Sequence, residues 1–502
     1  MQTEAIRHIV IVGGGSAGWM AAAALANRIP SEFCQITLVE SDAIGTVGVG
    51  ESTIPHIQQF NAELGIDEQD FIRQTRATIK LGIQFNDWAN LGDSYMHPFS
   101  ETGHVTQGID FHHYWLKSRT MGDNSRLDEY SLAAMAGKAR RFAPPVAKKE
   151  SLLSAYTYSY HIDATAYARY LRDYAEKRGV KRVEGKIIEV QQHAQSGFIE
   201  TVVLENGHKI GGELFVDCSG FAGLLIDKKL QSRFIDWSHW LATDSAAVVP
   251  CERNQPLNPY TIATARDAGW QWQIPLQHRM GNGHVFSSSH MSEQTALDTL
   301  MQTIPGQPTA EPRILRFKAG RREQSWCKNC VAIGLSSGFL EPLESTSIFL
   351  IQMGILKLLE FFPSKDFPQA GIAQYNQSMS YFYDQIRNFI ILHYHATSRS
   401  DTEFWNDCRT MSIPDDLQRL IRLFKQCGRV DRTQFGIWSA VCIGQGLIPE
   451  QYDARIDGVD YRQIQQYMAN YRNQVQRAVN TLPPVEMFIQ NVMQSAATEN
   501  LA

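Results

Sequence analysis

The pattern of apolar residues at the start of the chain predicts a strand, a tight turn and a helix. Residues 7–12 are mostly apolar and rich in β-branched side chains, as in a buried parallel strand, and three glycines follow them. A second strand, 35–39, ends on Glu40. The uncharged run from Ile9 to Ala26 is long enough to suggest a membrane span. The glycines in its middle would break such a helix, so strand, turn and helix is the better interpretation.

Helical periodicity returns in two later segments. Residues 67–82 predict one helix, and residues 163–180 predict another. Asp163 is the expected N-cap of the second helix, and Gly179 is its expected stop.

Strand-like alternation follows between these helices and the last third of the chain. Residues 186–220 predict strands that complete the first sheet system, with Asn206-Gly207 as a hairpin turn. The segment from about 243 to 290, which contains Trp270 and Trp272, predicts a second, antiparallel sheet that faces the substrate.

The rest of the pattern is one more buried strand and then helices. The strand is expected at 330–335, and an amphipathic helix is expected to begin near Thr346. We therefore predict an α/β protein. An interleaved module over residues 1–375 would combine a Rossmann-type nucleotide domain with the substrate sheet, and a mostly helical substrate-side module would span 376–502.

Composition and charge narrow the class of protein. The chain has 502 residues, 43% of them hydrophobic, and 47 Lys and Arg against 52 Asp and Glu give a net charge of −5. These values are typical of soluble globular proteins and give no support to a nucleic-acid or membrane partner. Eight scattered cysteines favour a reducing, cytoplasmic compartment. The Cys327–Cys330 pair is only half of a zinc site, so no metal is expected.

A nucleotide-binding fingerprint lies between the first strand and the first helix. Gly13, Gly15 and Gly18 form G-x-G-x-x-G, which allows a tight turn and brings backbone amides close to a pyrophosphate. Glu40, at the end of the second strand, is expected to accept hydrogen bonds from an adenosine ribose. This fingerprint leaves FAD and NAD open. The long interruption before the sheet is completed favours a flavoprotein.

Longer motifs add a family resemblance that covers most of residues 5–410. They are GGGSAGWMAAAAL (13–25), VGVGESTIP (47–55), TIKLGIQFNDW (78–88), FVDCSGFAGLLI (215–226), GWQWQIPL (269–276), VAIGLSSGFLEPLESTSI (331–348) and HYHATSRSDTEFW (393–405). The chain resembles the flavin-dependent halogenases of the tryptophan halogenase type. GWQWQIP is the most distinctive motif, because flavin hydroxylases share the glycines and lack it.

The resemblance implies a glutathione-reductase-like FAD domain and a two-component reaction. Reduced FAD from a separate flavin reductase, oxygen and chloride or bromide would give hypohalous acid, which Lys80 directs to an electron-rich aromatic substrate with Glu344 assisting. Whether Lys80 hydrogen-bonds the oxidant or forms a haloamine stays open.

The resemblance also assigns residues to each part of the reaction. Lys80, Glu344 and Ser345 would be catalytic, Thr346 and Ser347 would bind halide, and His97, Phe99 and Glu344 would contact substrate. The residues implied for FAD are Gly13, Gly15, Ser16, Ala17, Gly18, Glu40, Ser41, Val47, Gly50, Ile187, Leu335 and Ile348.

Without the resemblance, the same residues have plainer interpretations. Lys80 would be a solvated helix lysine, Glu344 a carboxylate beside a helix N-terminus, and the two tryptophans core residues. Ser347 stands where the family more often has glycine, so reduced backbone freedom leaves the preference between chloride and bromide open.

The substrate is less defined than the reaction. Relatives that act on free tryptophan carry a tyrosine pair late in the chain, and residues 435–457 show none. An indole is the expected substrate and free tryptophan is less favoured. An indole without the amino-acid head, a peptide-borne indole, a phenol and a pyrrole all stay open. Alternatives to the reaction are an aromatic monooxygenase without halide use and an FAD-binding protein without catalysis. The oligomeric state, a homodimer included, is also open.

Overall fold

The computed structural model describes residues 4–43, 51–147, 151–154, 156–431 and 433–499, with side chains up to 495. The strands are β1 (His8–Val12), β2 (Gln35–Glu40), β3 (Glu51–Ser52), β4 (Thr78–Lys80), β5 (Gly82–Asn86), β6 (Ser94–Pro98), β7 (Ser159–Ile162), β8 (Lys181–Glu184), β9 (Ile187–Gln192), β10 (Ile199–Leu204), β11 (Lys209–Gly211), β12 (Leu214–Asp217), β13 (Phe234–Asp236), β14 (Ser245–Cys251), β15 (Thr261–Arg266), β16 (Gly269–Pro275), β17 (Met280–Phe286), β18 (Arg313–Arg316), β19 (Gly320–Arg322), β20 (Trp326–Cys327), β21 (Cys330–Ala332) and β22 (Gly338–Phe339).

The helices follow the same interleaved order. They are α1 (Ser16–Arg28), α2 (His56–Glu63), α3 (Glu68–Gln74), α4 (Phe111–Thr120), α5 (Leu132–Lys138), α6 (Ala164–Glu176), α7 (Glu293–Thr303), α8 (Ser347–Glu360), α9 (Gln369–His395), α10 (Glu403–Thr410), α11 (Asp415–Cys427), α12 (Trp438–Gly444), α13 (Tyr461–Thr481) and α14 (Val485–Glu499). The segment Pro342–Glu344 forms one turn of 3-10 helix before α8.

Contacts group the chain into two compact units. Unit 1 comprises residues 1–76, 162–239 and 317–384, and unit 2 comprises 77–161, 240–316 and 385–502. The chain therefore passes repeatedly between the units, and the last division falls within α9. The functional modules 1–375 and 376–502 stay a prediction.

A parallel sheet forms the centre of the described part of unit 1. Its order is β20-β21-β12-β1-β2-β8, and β1 pairs in parallel with both β2 and β12. Buried apolar side chains on both faces explain why the central strands β1 and β12 are almost continuously hydrophobic, whereas the edge strand β8 is not. Val12 lies opposite Val39 on one side and Asp217 on the other. The carboxyl ends of these strands therefore meet where the glycine loop begins.

Several local predictions in unit 1 are confirmed. The Asp163 side chain accepts hydrogen bonds from the backbone N–H groups of Thr165 and Ala166 and caps α6. Gly179 has φ of +92° shortly after that helix. β10 and β11 form the antiparallel hairpin expected around Asn206-Gly207. The prediction that the strands of 186–220 complete the first sheet is wrong for three of them, because β9, β10 and β11 make a small separate sheet and only β12 joins the first.

A larger, mostly antiparallel sheet organises unit 2. In the described residues its order is β18-β14-β17-β16-β15-β5-β6, which confirms the second sheet predicted near 243–290. Trp270 and Trp272 are buried on β16, two residues apart and therefore on one face. A Cβ atom on Gly283 of β17 would lie 2.1 Å from the Trp272 ring. Only a glycine at position 283 leaves room for the Trp272 indole.

The helix predicted over 67–82 is wrong in its second half. Helix α3 ends at Gln74, Arg76 has φ of +54°, and residues 78–80 form strand β4. The left-handed residue stops the helix, and the β-branched pair Thr78 and Ile79 favours the strand that follows. Lys80 therefore lies on a strand and not on a helix.

The C-terminal part is mostly helical, as predicted. From Glu403 onward the described regular elements are α10 to α14 and a short 3-10 turn at Ala454–Gly458. Among the described residues, no helix combines the length and the apolar character needed to span a bilayer.

Candidate functional site

The glycine loop of unit 1 forms a cradle at the start of α1. Gly13 has φ of +109°, and a Cβ atom there would lie 2.2 Å from the carbonyl oxygen of Cys218. A Cβ atom on Gly18 would lie 1.8 Å from the Gly13 carbonyl oxygen, whereas one on Gly15 would meet nothing within 4 Å. The loop is thus packed tightly from behind and open above Gly15. Gly15 caps α1 without a side-chain hydrogen bond, so the amides of the first turn, which begins with Ser16, are available to an anion.

Asp217, which the sequence interpretation missed as an individual residue, shapes the wall behind this loop. Its completely buried carboxylate accepts hydrogen bonds from the backbone N–H groups of Ser219, Leu225 and Ile226 at 2.8 to 3.0 Å. These bonds fix the turn that contacts Gly13. An aspartate that ends a buried strand inside FVDCSG is the signal that could have identified it.

Glu40 lies at the end of β2, beside the loop. Its Oε1 is 2.5 Å from Nε of Arg182 and 3.8 Å from a guanidinium nitrogen of Arg172. A Cβ atom on Gly14 would lie 1.4 Å from Oε2 of Glu40, so that oxygen faces the glycine loop. Ser41 follows directly. The ribose contact predicted for Glu40 stays a prediction, with one carboxylate oxygen already engaged by arginine.

Three other predicted cofactor residues also lie in unit 1, and one of them, Leu335, is shown next to the glycine loop. Gly334 has φ of +80°, and a Cβ atom there would lie 2.8 Å from Cβ of Ala17, so the turn that carries Leu335 packs against the start of α1. Ile348 is buried in the first turn of α8. Ile187 lies opposite Leu204 on β9 and packs against the sheet core. Val47 and Gly50 lie outside the described residues.

The start of α8, also in unit 1, holds the other predicted reactive residues. Glu344 ends the 3-10 turn with its side chain buried, and Ser345 has φ of +60°. Thr346 caps the helix through its backbone, and its buried Oγ1 has no hydrogen-bond partner among the described residues. Ser347 is the first helical residue. The left-handed residue in this turn is Ser345, so a serine at 347 brings no backbone strain.

Lys80 lies in unit 2, on one face of the antiparallel pair β4–β7. Thr78 pairs with His161, and Lys80 pairs with Ser159. Paired residues and those two apart share a face, so the four side chains lie together, and all four are completely buried. The Lys80 ammonium also lies 4.7 Å from the centre of the Phe99 ring. The solvated lysine expected from local pattern alone is therefore wrong.

Phe99 also lines a cavity in unit 2. The cavity has a volume of about 370 Å³, within the range of small-molecule sites, and its other walls include Leu132, Tyr156 and Tyr471. His97, two residues before Phe99, accepts a hydrogen bond from the backbone N–H of Ile437 at 3.3 Å. Its ring lies 5.5 Å from that of Phe389, an aromatic residue that the sequence interpretation did not identify.

Comparison with known proteins identifies the family. The model of the tryptophan halogenase family matches residues 8–461. The chain belongs to the tryptophan halogenase family. The tryptophan 6-halogenase SttH of Streptomyces toxytricini is 38% identical over 450 residues, which is 85% of each chain. The solved structure of BrvH, a flavin-dependent halogenase from Brevundimonas sp. BAL3, is 44% identical, with a TM-score of 0.94 over 97% of this chain and 99% of that one.

A second flavin-dependent halogenase structure, from Xanthomonas campestris, gives the same result. It is 43% identical with a TM-score of 0.94, and covers 97% of this chain and 98% of that one. The predicted family, fold class and enzyme type are confirmed, and they favour the halogenase over the monooxygenase alternative. This halogenase uses FAD. The glycine loop fits that cofactor, because the open space above Gly15 and the amides at the start of α1 suit its pyrophosphate.

Proposed function

We propose that this chain is a two-component halogenase that uses hypohalous acid, made from chloride or bromide, to halogenate an electron-rich aromatic ring, with an indole as the expected substrate. The observation that carries the proposal is the completely buried Lys80, whose ammonium lies over a ring that lines a cavity of unit 2. FAD, when bound, supplies the oxidation of halide by oxygen.

Lys80 acts on the oxidant. An ammonium can donate a hydrogen bond to the oxygen of hypohalous acid and make the halogen more electrophilic, and burial in a low-dielectric environment strengthens that bond. A haloamine on the same nitrogen is the alternative. In either case the rigid strand β4 limits where the halogen can be delivered, which favours attack at one ring position.

Glu344 and Ser345 serve the ring after attack. Addition of an electrophilic halogen leaves a cationic ring that must lose a proton, and a buried carboxylate can both stabilise the cation and accept that proton. The left-handed Ser345 ends the 3-10 turn and leads the chain into α8.

Halide binds at the start of α8. The free backbone amides there, at Thr346 and Ser347, favour an anion, and α8 is 14 residues long. The buried Thr346 hydroxyl, without a partner among the described residues, offers one more donor. His97 and Phe99 contact the substrate in unit 2.

The ion pairs and hydrogen bonds of residues 429–457 support a substrate without an amino-acid head. Asp453 is held by Arg429 and Arg455 at 2.5 and 2.6 Å. Asp457 accepts from Lys117 at 2.9 Å and from the Tyr452 hydroxyl at 2.8 Å. Because these groups already bind one another, they are poorly placed to bind the ammonium and carboxylate of free tryptophan.

The test is a reconstituted reaction. Purified protein is given FAD, NADH, an unrelated flavin reductase and either chloride or bromide, and a panel of indoles, phenols and free tryptophan is screened by mass spectrometry. We expect a product with the halogen isotope pattern from an indole and little from free tryptophan. The reductase can be any enzyme that releases reduced FAD, because the proposal requires only that supply.

Two outcomes would contradict the proposal. A product that carries oxygen and no halogen would overturn the reaction. If free tryptophan were halogenated with the highest kcat/KM of the panel, the proposed reaction would stand and the proposed substrate would be wrong.

A further inference from the structure

The Lys80 face of β4 and β7 contains a second buried nitrogen base, His161. Its side chain is completely buried and shares the face with Thr78, Lys80 and Ser159. Neither the motifs nor the family resemblance assigned it a role. Its position beside the proposed reactive lysine raises the question of which protonation state it takes.

The hydrogen bonds around His161 define its tautomer. The Thr78 hydroxyl donates to the carbonyl oxygen of Pro275 at 2.6 Å, and a carbonyl can only accept. Thr78 has one hydroxyl proton, so its oxygen must accept the bond from Nδ1 of His161 at 3.1 Å. The proton of a neutral ring is thus on Nδ1, and Nε2 accepts from the Thr261 hydroxyl at 3.0 Å. Every donor in this series of three hydrogen bonds has an acceptor.

A second proton on the ring would break this arrangement. Nε2 would become a donor, Thr261 would have to turn its own proton elsewhere, and a second positive charge would lie beside the Lys80 ammonium. Burial, first, and the charge of Lys80, second, hold the pKa of His161 well below its usual range. Thr261 of β15, which bonds the ring, is uncharged, and Pro275 of β16 bonds Thr78 and not the ring. The titratable group on β3, the other strand beside β7, is Glu51.

These bonds also attach the lysine-bearing strand to its neighbours. Thr78 and Lys80 are two residues apart on β4, and Thr78 is held from both sides, by Pro275 and by His161. His161 is held in turn by Thr261, the first residue of β15. A shift of β4 would require at least one of these buried bonds to break, which is costly without water.

We propose that His161 is a positioning residue for Lys80: as a neutral imidazole protonated on Nδ1, it fixes β4 and keeps a second positive charge away from the reactive ammonium. The proposal rests on the function proposed for Lys80. It concerns a residue that touches neither substrate nor cofactor and acts through the lysine.

The first experiment needs no turnover. Protein with ¹⁵N-labelled histidine is examined by NMR, and the His161 ring signal is assigned by its loss in His161→Asn. We expect a neutral ring with its proton on Nδ1 from pH 8 to pH 5.5. In Lys80→Met, the pKa of His161 should rise, because one source of positive charge is gone. A proton on Nε2, or ordinary titration near pH 6.5 in the wild-type protein, would overturn the assignment.

The second experiment measures halogenation by three variants. His161→Asn retains a side-chain N–H that can donate to Thr78, whereas His161→Leu fills the space and donates nothing. His284→Asn is the matched control, because His284 is also a completely buried histidine of unit 2, and its Nδ1 bonds the carbonyl of Ala296 on α7. Unfolding midpoints of all variants are recorded beside the kinetics.

The expected order separates positioning from packing. Displacement of a reacting group by about 1 Å costs on the order of 100-fold. We expect kcat to fall about 100-fold in His161→Leu and about tenfold in His161→Asn, with substrate KM and FAD affinity unchanged, while His284→Asn keeps the wild-type kcat. Equal kcat in the Leu and Asn variants, or no loss in either, would overturn the proposal.

The kinetic test remains possible if a His161 variant does not fold. Thr261→Val is the second variant, because it keeps the shape of the side chain and deletes the hydroxyl that donates to Nε2, and we expect a loss of kcat of a few-fold with KM unchanged. Absence of halogenation by the wild-type enzyme would count against the proposed function, whereas the NMR result would still support or overturn the tautomer.

Discussion

Strand β4 and the start of helix α8 hold reactive groups in two different ways. At α8 the proposed halide site uses groups of one short segment, because backbone amides at a helix N-terminus favour an anion. On β4 a cation is buried, and burial of a charge is costly unless the surroundings compensate for it. The Phe99 ring and a face of polar side chains from two strands form these surroundings. An anion site can therefore be local, whereas a buried lysine depends on distant parts of the sequence.

The largest expected effect tests the buried lysine. Lys80→Met should lower kcat for halogenation by about 10³-fold, the size seen when one donor to a developing charge is lost, and should leave FAD binding intact. Lys117→Met is the control: Lys117 is also a buried lysine of unit 2, but it bonds Asp457 and the carbonyl of Ile456. This variant should lose stability and keep kcat. Halogenated product at the wild-type rate from Lys80→Met, measured by mass spectrometry, would remove Lys80 from the mechanism.

A smaller effect is expected at the helix start. Thr346→Val keeps the shape of the side chain and deletes a hydroxyl that has no partner among the described residues. If that hydroxyl binds halide, the KM for chloride and bromide should rise about tenfold, as for a lost hydrogen bond to a charged group. Ser347→Gly is the control and should change either KM by less than about threefold, because its backbone amide remains. An unchanged halide KM with a higher unfolding midpoint in Thr346→Val would place the halide elsewhere.

The last expected effect is on stability and not on catalysis, and it concerns acid and the unit that carries β4. Burial, first, lowers the pKa of His113 and of His284 in unit 2 to about 4. Between pH 6.5 and 4 the unfolded chain binds more protons at these residues than the folded chain, so folding stability falls as the pH is lowered. Each histidine contributes at most about 1.4 kcal/mol per pH unit. Thermal unfolding at pH 5 and 7.5 measures this, and His284→Asn should reduce the difference. A higher midpoint at pH 5 than at pH 7.5 would contradict the prediction.

The same comparison shows how far sequence patterns predict this molecule. The glycine loop, the Asp163 cap and the start of α8 depend on residues close together in sequence, and their local structures agree with the prediction. The strand character of β4 does not follow from local pattern, since its helical periodicity continues past Gln74, and pairing with residues 159–161 decides the outcome. The family motif identified Lys80 without that knowledge.

Residues that act through others left little trace in the sequence. His161 looks like an ordinary strand residue, and Asp217 looks like the end of a strand. Both depend on partners far along the chain, Thr78 and Thr261 for the histidine and the backbone of 219–226 for the aspartate. No periodicity encodes such bonds.

The packing of the tryptophans in unit 2 has a consequence for the lifetime of the enzyme. Hypohalous acid attacks indole rings, and the chain has ten tryptophans of its own. Trp88, Trp270 and Trp405 are completely buried, with ring centres 5.5 Å apart for Trp88 and Trp405 and 6.4 Å apart for Trp88 and Trp270. Trp88 and Trp405 also donate their N–H groups to the carbonyls of Ala263 and Arg266. If hypohalous acid forms as proposed, the packing that holds the sheet together would also shield these rings from oxidant that escapes into solution.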